Sequence, residues 1–156
     1  MLPYRAVYEV LPGLLKLYKE VVRLPKNVTL EEIAEDPKRY PFFADCIGAL
    51  DGTYLPISIK GGYTKQAPWR GRKGGLTQNV LMAVDFQMNF MYVLAGWEGT
   101  AHDSRVINSA KVKGFEALPG KYYVADAGYS NTPMTLTPYR GVRYHLREQA
   151  QVNMRP

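Results

Sequence analysis

Three apolar runs in the second part of the chain constrain its fold more than any other feature of the sequence. They cover residues 46–59, 78–86 and 90–97, and they have the β-branched and aromatic character of strands. The second and third runs are joined by residues 87–89, a connection of hairpin length. Strands that are apolar almost throughout are typical of a sheet with both faces covered. The runs therefore predict a central sheet in an α/β domain.

A helix and further strands are predicted after the third run. The spacing of apolar residues predicts a helix over 104–112, with Asp103 or Ser104 as its N-cap. A short strand is predicted over 122–125 and another over 142–146, with a proline-punctuated loop between them. This β-β-β-α-β order favours an antiparallel meander followed by a helix that leads to a parallel strand. The expected architecture is a mixed-sheet α/β layer.

The N-terminal part is predicted to be a helical leader, residues 1–44, that packs onto the domain formed by residues 45–156. Apolar side chains at helical spacing predict a helix over 9–24, with Pro12 in its first turn. The capping-box spacing at 29–32 predicts a second, short helix.

Composition limits the class of protein. A chain of 156 residues has room for one domain and can bury a core without a metal or disulfide. The one cysteine, Cys46, lies in an apolar run and is expected to be a core residue in a reducing compartment. No stretch has the apolar length of a membrane span, and the N-terminus is a poor signal peptide. We expect an intracellular protein that does not contact membranes.

A basic loop stands out in the charge distribution. The formal net charge is +6, and the segment 60–77 contains five cations and no acidic residue. Its cations are Lys60, Lys65, Arg70, Arg72 and Lys73, interleaved with Tyr63 and Trp69. Such a loop can contact phosphates and stack on exposed bases, but it is equally typical of a solvated glycine-rich loop.

Two carboxylates interrupt the apolar pattern. Asp51 lies within the first strand, and Asp126 lies where the fourth strand ends. If these strands are neighbours, the two acids come together and can hold Mg²⁺, which prefers oxygen ligands. The alternative is turn chemistry, with a hairpin turn at Asp51 and a loop cap at Asp126.

Other polar residues have simpler interpretations. Asp103 is expected to cap the helix, and His102 beside it is expected to form local hydrogen bonds. Asp85 is assigned to the hairpin turn. Glu148 is a weak candidate for a catalytic acid.

Four segments in order resemble a known family. CIGALDGTYLPI, RGRKGGLTQNVLMAVD, AGWEGTAHDSRV and YYVADAGY resemble the DDE superfamily endonuclease domain of Harbinger/PIF-type transposases. The resemblance runs from about Phe42 to about Glu148. It implies an RNase H-like fold, which agrees with the β-β-β-α-β order, and a carboxylate triad that holds a divalent metal to cut and join DNA.

The resemblance also implies roles for individual residues. Asp51 matches the first acid and Asp126 the second, so both are expected to be catalytic and to bind Mg²⁺ or Mn²⁺. His102 and Asp103 belong to a supporting signature, and the cations of the basic loop (Lys65, Arg70, Arg72 and Lys73) are expected to hold DNA. Nuclear localisation is also implied.

The chain departs from the family pattern at its end. The family's third acid is a glutamate on a later helix, and no such motif is found before Pro156. The family's helix-turn-helix region is not found either, so a separate DNA-binding partner protein is an open expectation. We therefore expect a C-terminally truncated domain with impaired turnover. The alternatives are a non-catalytic domesticated module that binds DNA or protein, and a fragment without function.

Overall fold

The fold is a mixed α/β arrangement around a five-stranded sheet. The computed structural model describes residues 2–24, 31–71 and 74–141. The strands are β1 (Cys46–Pro56), β2 (Thr77–Val84), β3 (Phe90–Glu98), β4 (Tyr122–Ala125) and β5 (Thr135–Leu136). The helices are α1 (Leu2–Val21), α2 (Glu31–Ala34), α3 (Tyr63–Gln66) and α4 (Asp103–Val112), and a 3-10 turn covers Ala67–Trp69.

The sheet has the strand order β3-β2-β1-β4-β5. Strands β1, β2 and β3 form an antiparallel meander, whereas β4 pairs parallel with β1 and β5 parallel with β4. Helix α4 provides the crossover that a parallel connection requires. The predicted mixed sheet and the predicted neighbourhood of the first and fourth strands are both confirmed.

The core lies between the sheet and α4. Three residues of α4 are buried because they recur at helical spacing on one face, and these are Val106, Ile107 and Ala110. Against them lie buried strand residues and a stacked aromatic pair whose ring centroids are 4.3 Å apart, formed by Tyr92 and Phe115. Cys46 is buried as predicted, and burial raises the pKa of its thiol.

The sheet is not covered along its whole length. Strand β1 is mostly buried from Cys46 to Leu50, but its last residues are exposed, including Tyr54 and Leu55. The expectation of strands covered almost throughout is therefore wrong for this half of β1. Leu94 of β3, by contrast, is buried.

Several predicted boundaries differ in the structure. Helix α1 begins at Leu2, so Pro12 lies inside the helix and Pro3 is the proline of its first turn. An ion pair between Arg5 and Glu9, one helical turn apart with 2.9 Å between Nε and Oε1, supports the earlier start. The short strand β5 lies where a loop was expected. The strand predicted over 142–146 lies outside the described residues.

The apolar side chains of α1 are exposed. Leu11, Leu14 and Leu15 lie on the predicted apolar face, yet each keeps close to half or more of its surface accessible. The packing of this leader onto the domain stays a prediction. In the part of the chain that the structure describes, no helix combines the length and apolarity needed to cross a membrane.

Candidate active site

Asp51 and Asp126 occupy corresponding positions on neighbouring strands. Leu50 of β1 pairs with Ala125 of β4 in the parallel ladder, and each aspartate is the next residue of its chain segment. Asp51 lies inside β1 opposite Met82 of β2, so its interpretation as a hairpin turn is wrong. Both aspartates are exposed, so their carboxylates are accessible to a ligand.

The turn after β4 uses part of the Asp126 carboxylate. Its Oδ1 accepts a hydrogen bond of 2.8 Å from the backbone N–H of Gly128, as in an Asx turn. The loop interpretation of Asp126 is therefore confirmed for one oxygen. Asp51 Oδ1 accepts a hydrogen bond of 2.7 Å from the backbone N–H of Gly52. These local bonds fix the two carboxylates at the same edge of the site.

Asp103 does not cap α4. The N-cap position belongs to His102, which is exposed and makes no side-chain cap bond, and Asp103 is the first helical residue. The Asp103 carboxylate instead faces β2, where its Oδ1 accepts a hydrogen bond of 3.4 Å from Asn79 Nδ2. The capping interpretation of Asp103 is thus wrong, because the topology brings the helix start against a polar strand residue.

Tyr129 lies among the three aspartates. Its ring is buried at 2% exposure, and its hydroxyl has no hydrogen-bond partner among the described residues. Burial raises the pKa of Tyr129 most, and the negative charges of Asp103, Asp51 and Asp126 raise it further. Tyr129 is thus close enough to all three carboxylates for their charges to act on its hydroxyl.

Asn79 and Tyr129 were not singled out from the sequence. Asn79 is an amide in an apolar strand, which was a signal that could have been used, since a buried polar side chain needs a partner. Tyr129 was part of a quoted motif, but only the structure shows which way its hydroxyl points.

The donor set fits a hard divalent cation. Among residues 2–24, 31–71 and 74–141, no three His, Cys, Asp or Glu side chains are grouped closely enough to hold a metal ion by themselves. Magnesium, however, is commonly bound through one or two carboxylates while it keeps several waters. Two exposed carboxylates beside an unpartnered hydroxyl provide oxygen donors of this kind.

The basic loop is tied to the segment that leads to Asp103. The backbone N–H and the hydroxyl of Thr100 both donate to the carbonyl of Pro68, at 3.2 and 2.9 Å. Lys65 and Arg70 are exposed, and the Arg70 guanidinium lies 5.0 Å from the centre of the exposed Tyr63 ring. The other two predicted DNA-binding cations, Arg72 and Lys73, lie outside the described residues, as does Glu148.

A cleft of about 280 Å³ opens beside the turn after β4. It is lined by Tyr129, Ser130, Asn131, Thr137, Pro138, Tyr139 and Arg140. Arg140 Nε donates to the carbonyl of Ala127 at 3.3 Å, which places a cation against the residue that follows Asp126.

Comparison with known proteins agrees with this geometry. The family model described as DDE superfamily endonuclease matches residues 50–155, which include all three aspartates. The chain belongs to the DDE superfamily of endonucleases. The match begins one residue before Asp51, so it contains residues 50–56 of β1 and the whole of β4 of this DDE domain.

One curated relative resembles this chain over about three quarters of the chain's length. "Protein ALP1-like" of Arabidopsis thaliana is 26% identical over 72% of this chain, and the match covers 32% of that protein. The chain therefore spans about a third of the length of this relative. No solved structure matches the chain.

Proposed function

We propose that this chain is the endonuclease domain of a transposase-derived protein of Harbinger/PIF type, with an RNase H-like fold and a DNA substrate. The observation that carries the proposal is the parallel pairing of Leu50 with Ala125, because it sets Asp51 and Asp126 side by side. The strand order with three antiparallel strands followed by two parallel ones supports the fold. A nuclear location and a separate DNA-binding partner protein belong to the same proposal.

Asp51 and Asp126 would hold Mg²⁺, with Mn²⁺ as an alternative, since both cations suit carboxylate oxygens. When bound, the cation supplies Lewis-acid stabilisation of a phosphodiester during strand cleavage and strand transfer. Asp51 lies within β1 and Asp126 directly follows β4, so the sheet limits the motion of both carboxylates relative to bound DNA.

Lys65 and Arg70 would contact the phosphate backbone, together with Arg72 and Lys73. The Thr100 hydrogen bonds to Pro68 hold this basic loop next to the segment that leads into α4. Cations near a carboxylate site offset the charge of an approaching polyanion and position it, without reading its sequence. Arg140 and the exposed Tyr139 line the cleft beside the turn that Asp126 begins.

The test combines DNA nicking with cation binding. Purified protein is incubated with supercoiled plasmid and Mg²⁺ or Mn²⁺, and Mn²⁺ binding is titrated by electron paramagnetic resonance. We expect Mn²⁺ binding and, because turnover is expected to be impaired, at most weak nicking, and we expect both to be lost in Asp51→Asn and in Asp126→Asn. Asp85→Asn is the matched control, because Asp85 is committed to the β2–β3 turn. Absence of Mn²⁺ binding by the unchanged protein would overturn the proposed metal-dependent nuclease.

A non-catalytic DNA-binding module is the second candidate. Two features favour it. Several cations of the chain are exposed, and the described residues contain no group of three metal-ligating side chains. Salt-dependent DNA binding that is unchanged by EDTA and by Asp51→Asn, with no nicking, would identify this function.

A further inference from the structure

Gly52 marks a point where three polar side-chain atoms converge. A Cβ atom on Gly52 would lie 3.1 Å from the Tyr129 hydroxyl, 3.2 Å from Asn79 Oδ1 and 3.3 Å from Asp103 Oδ1. These atoms come from three separate elements, namely β2, the start of α4 and the turn after β4. Because residue 52 has no side chain, the space above it stays open to the three groups.

Two of the three atoms lack partners within the protein. Asn79 and Tyr129 are 1% and 2% exposed, and neither the Asn79 Oδ1 nor the Tyr129 hydroxyl makes a hydrogen bond to any described residue. Buried polar atoms are almost always satisfied by protein, water or ligand. An unpartnered acceptor and an unpartnered hydroxyl that face one carboxylate therefore point to a bound group between them.

Asp103 connects this point to Asp126. The Asn79 amide donates to Asp103 Oδ1 and to the carbonyl of Ala101, both at 3.4 Å. The other oxygen, Asp103 Oδ2, lies 3.3 Å from a Cβ built on Gly128, and Asp126 Oδ1 lies 3.0 Å from the same point. Asp103 is thus held by Asn79 on one side and faces the Asp126 turn on the other.

We propose that Asp103, held by Asn79 and accompanied by the Tyr129 hydroxyl, is a positioning residue of the divalent-cation site formed by Asp51 and Asp126. This inference rests on the proposed function. Asp103 would act through the waters that the cation keeps, because two carboxylates cannot hydrogen-bond each other directly. Loss of such outer contacts typically weakens metal affinity by about 10–100-fold.

The test measures Mn²⁺ affinity by electron paramagnetic resonance in the full chain. Asp103→Asn keeps the shape of the side chain, Asn79→Leu removes the amide, and Tyr129→Phe removes only the hydroxyl. We expect Asp103→Asn and Asn79→Leu to weaken Mn²⁺ binding by about 10-fold or more, in the range usual for outer-layer residues. We expect a smaller loss for Tyr129→Phe, and unfolding without metal shows whether each variant is folded.

Tyr123 offers a matched control. Its hydroxyl is also buried and unpartnered within the described part of the chain, but it lies in the apolar core and burial alone raises its pKa. Tyrosine-sensitised Tb³⁺ emission gives a spectroscopic readout that a purely structural role would not change. We expect Tyr129→Phe to remove much of this emission and Tyr123→Phe to leave it unchanged.

The outcomes separate this inference from the proposed function. If Asp51→Asn abolishes Mn²⁺ binding while folded Asp103→Asn and Asn79→Leu bind normally, the inference is wrong and the proposed function stands. Equal Tb³⁺ emission from the two tyrosine variants would also contradict the inference. If the unchanged protein binds no Mn²⁺, both fail together.

Discussion

Two aspartates begin turns in this domain, and the protein uses them very differently. Asp85 closes the β2–β3 hairpin, where its carboxylate accepts hydrogen bonds from the backbone N–H groups of Gln87 and Asn89 and from the Asn89 side chain, at 2.8–3.0 Å. Asp126 begins the turn after β4, and among the described residues its carboxylate accepts one hydrogen bond, from Gly128. The carboxylate of Asp85 accepts three hydrogen bonds within its own turn, whereas that of Asp126 accepts one among the described residues.

The surroundings of the two turns differ in the same way. The turn of Asp85 contains Met88, a residue with a left-handed backbone conformation, and the hydrogen bonds of the Asp85 carboxylate hold this turn in place. Asp126 lies beside a buried unpartnered tyrosine hydroxyl and two further aspartates. An aspartate can therefore stabilise a turn or lie in a candidate metal site, and the partners of its carboxylate show which of the two applies.

The largest expected effect is the loss of metal-induced stabilisation in Asp126→Asn. At a Mn²⁺ concentration 100-fold above the dissociation constant, binding stabilises the folded protein by about 2.7 kcal/mol. We expect this increment to disappear in the variant, because the amide still accepts from Gly128 but carries no charge. Urea unfolding with and without Mn²⁺ measures it. If Asp126→Asn kept the full stabilisation by Mn²⁺, the turn of Asp126 would not differ from the turn of Asp85 in binding a cation.

Asp85→Ala should produce the opposite pattern. Loss of three hydrogen bonds to an ionised carboxylate is expected to lower the free energy of unfolding by about 2 kcal/mol. The same decrease should be observed with and without Mn²⁺, since this turn holds no ligand. A Mn²⁺-dependent difference between Asp85→Ala and the unchanged protein would show that the hairpin aspartate also contributes to the site.

Because of Tyr123, the free energy of unfolding is expected to fall at alkaline pH, independently of the candidate metal site. Burial raises the pKa of Tyr123 from 10.0 to about 12, so the folded state keeps the hydroxyl protonated while the unfolded state ionises. Its contribution to stability is fully present below pH 10 and is lost as the pH rises towards 12. The loss approaches about 3 kcal/mol, at roughly 1.4 kcal/mol per pKa unit.

Tyr123→Phe should weaken this pH dependence, as measured by urea unfolding at pH 9 and pH 11. Tyr129 is also buried, so part of the alkaline destabilisation is expected to remain in the variant. An unchanged pH dependence in Tyr123→Phe would show that this hydroxyl is not protected by burial.

Two glycines give the smallest expected effects, of opposite sign. Gly13 lies within α1 and a Cβ there would meet nothing within 4 Å, so Gly13→Ala should stabilise the helix by about 0.5–1 kcal/mol. Gly52→Ala would crowd three polar atoms and should lower stability by about 1 kcal/mol. It should also weaken Mn²⁺ binding, which thermal unfolding with and without the cation would show. Equal Mn²⁺ responses of the two variants would contradict an open site at Gly52.

Much of the sheet could be predicted because the sequence signals of a strand depend on residues that are close along the chain. The apolar runs and the short connection at Asp85 depend on neighbouring residues, and so does the position of Asp126 at a strand end. The contact between Asp103 and Asn79 could not be predicted in this way. The position of Asp103 before a helix favoured capping, and only the pairing of distant strands brings Asn79 beneath it.

The start of α1 was missed for a related reason. A proline is tolerated in a first helical turn, so Pro12 suggested a boundary near Glu9, whereas the helix extends to Leu2 with the proline inside it. Strand β5 has only two residues and depends on parallel pairing with β4, which a local pattern does not reveal.

Because β1 and β4 are far apart along the chain, the pairing of Asp51 with Asp126 is expected to form late during folding. The two acids are 75 positions apart (126 minus 51), and they meet only after the chain has formed the meander and crossed the sheet through α4. Contacts of such long sequence separation form late, because the intervening loop must close first. In a refolding experiment, Mn²⁺ affinity should therefore emerge after the hairpin has formed, and its appearance would time the completion of the domain.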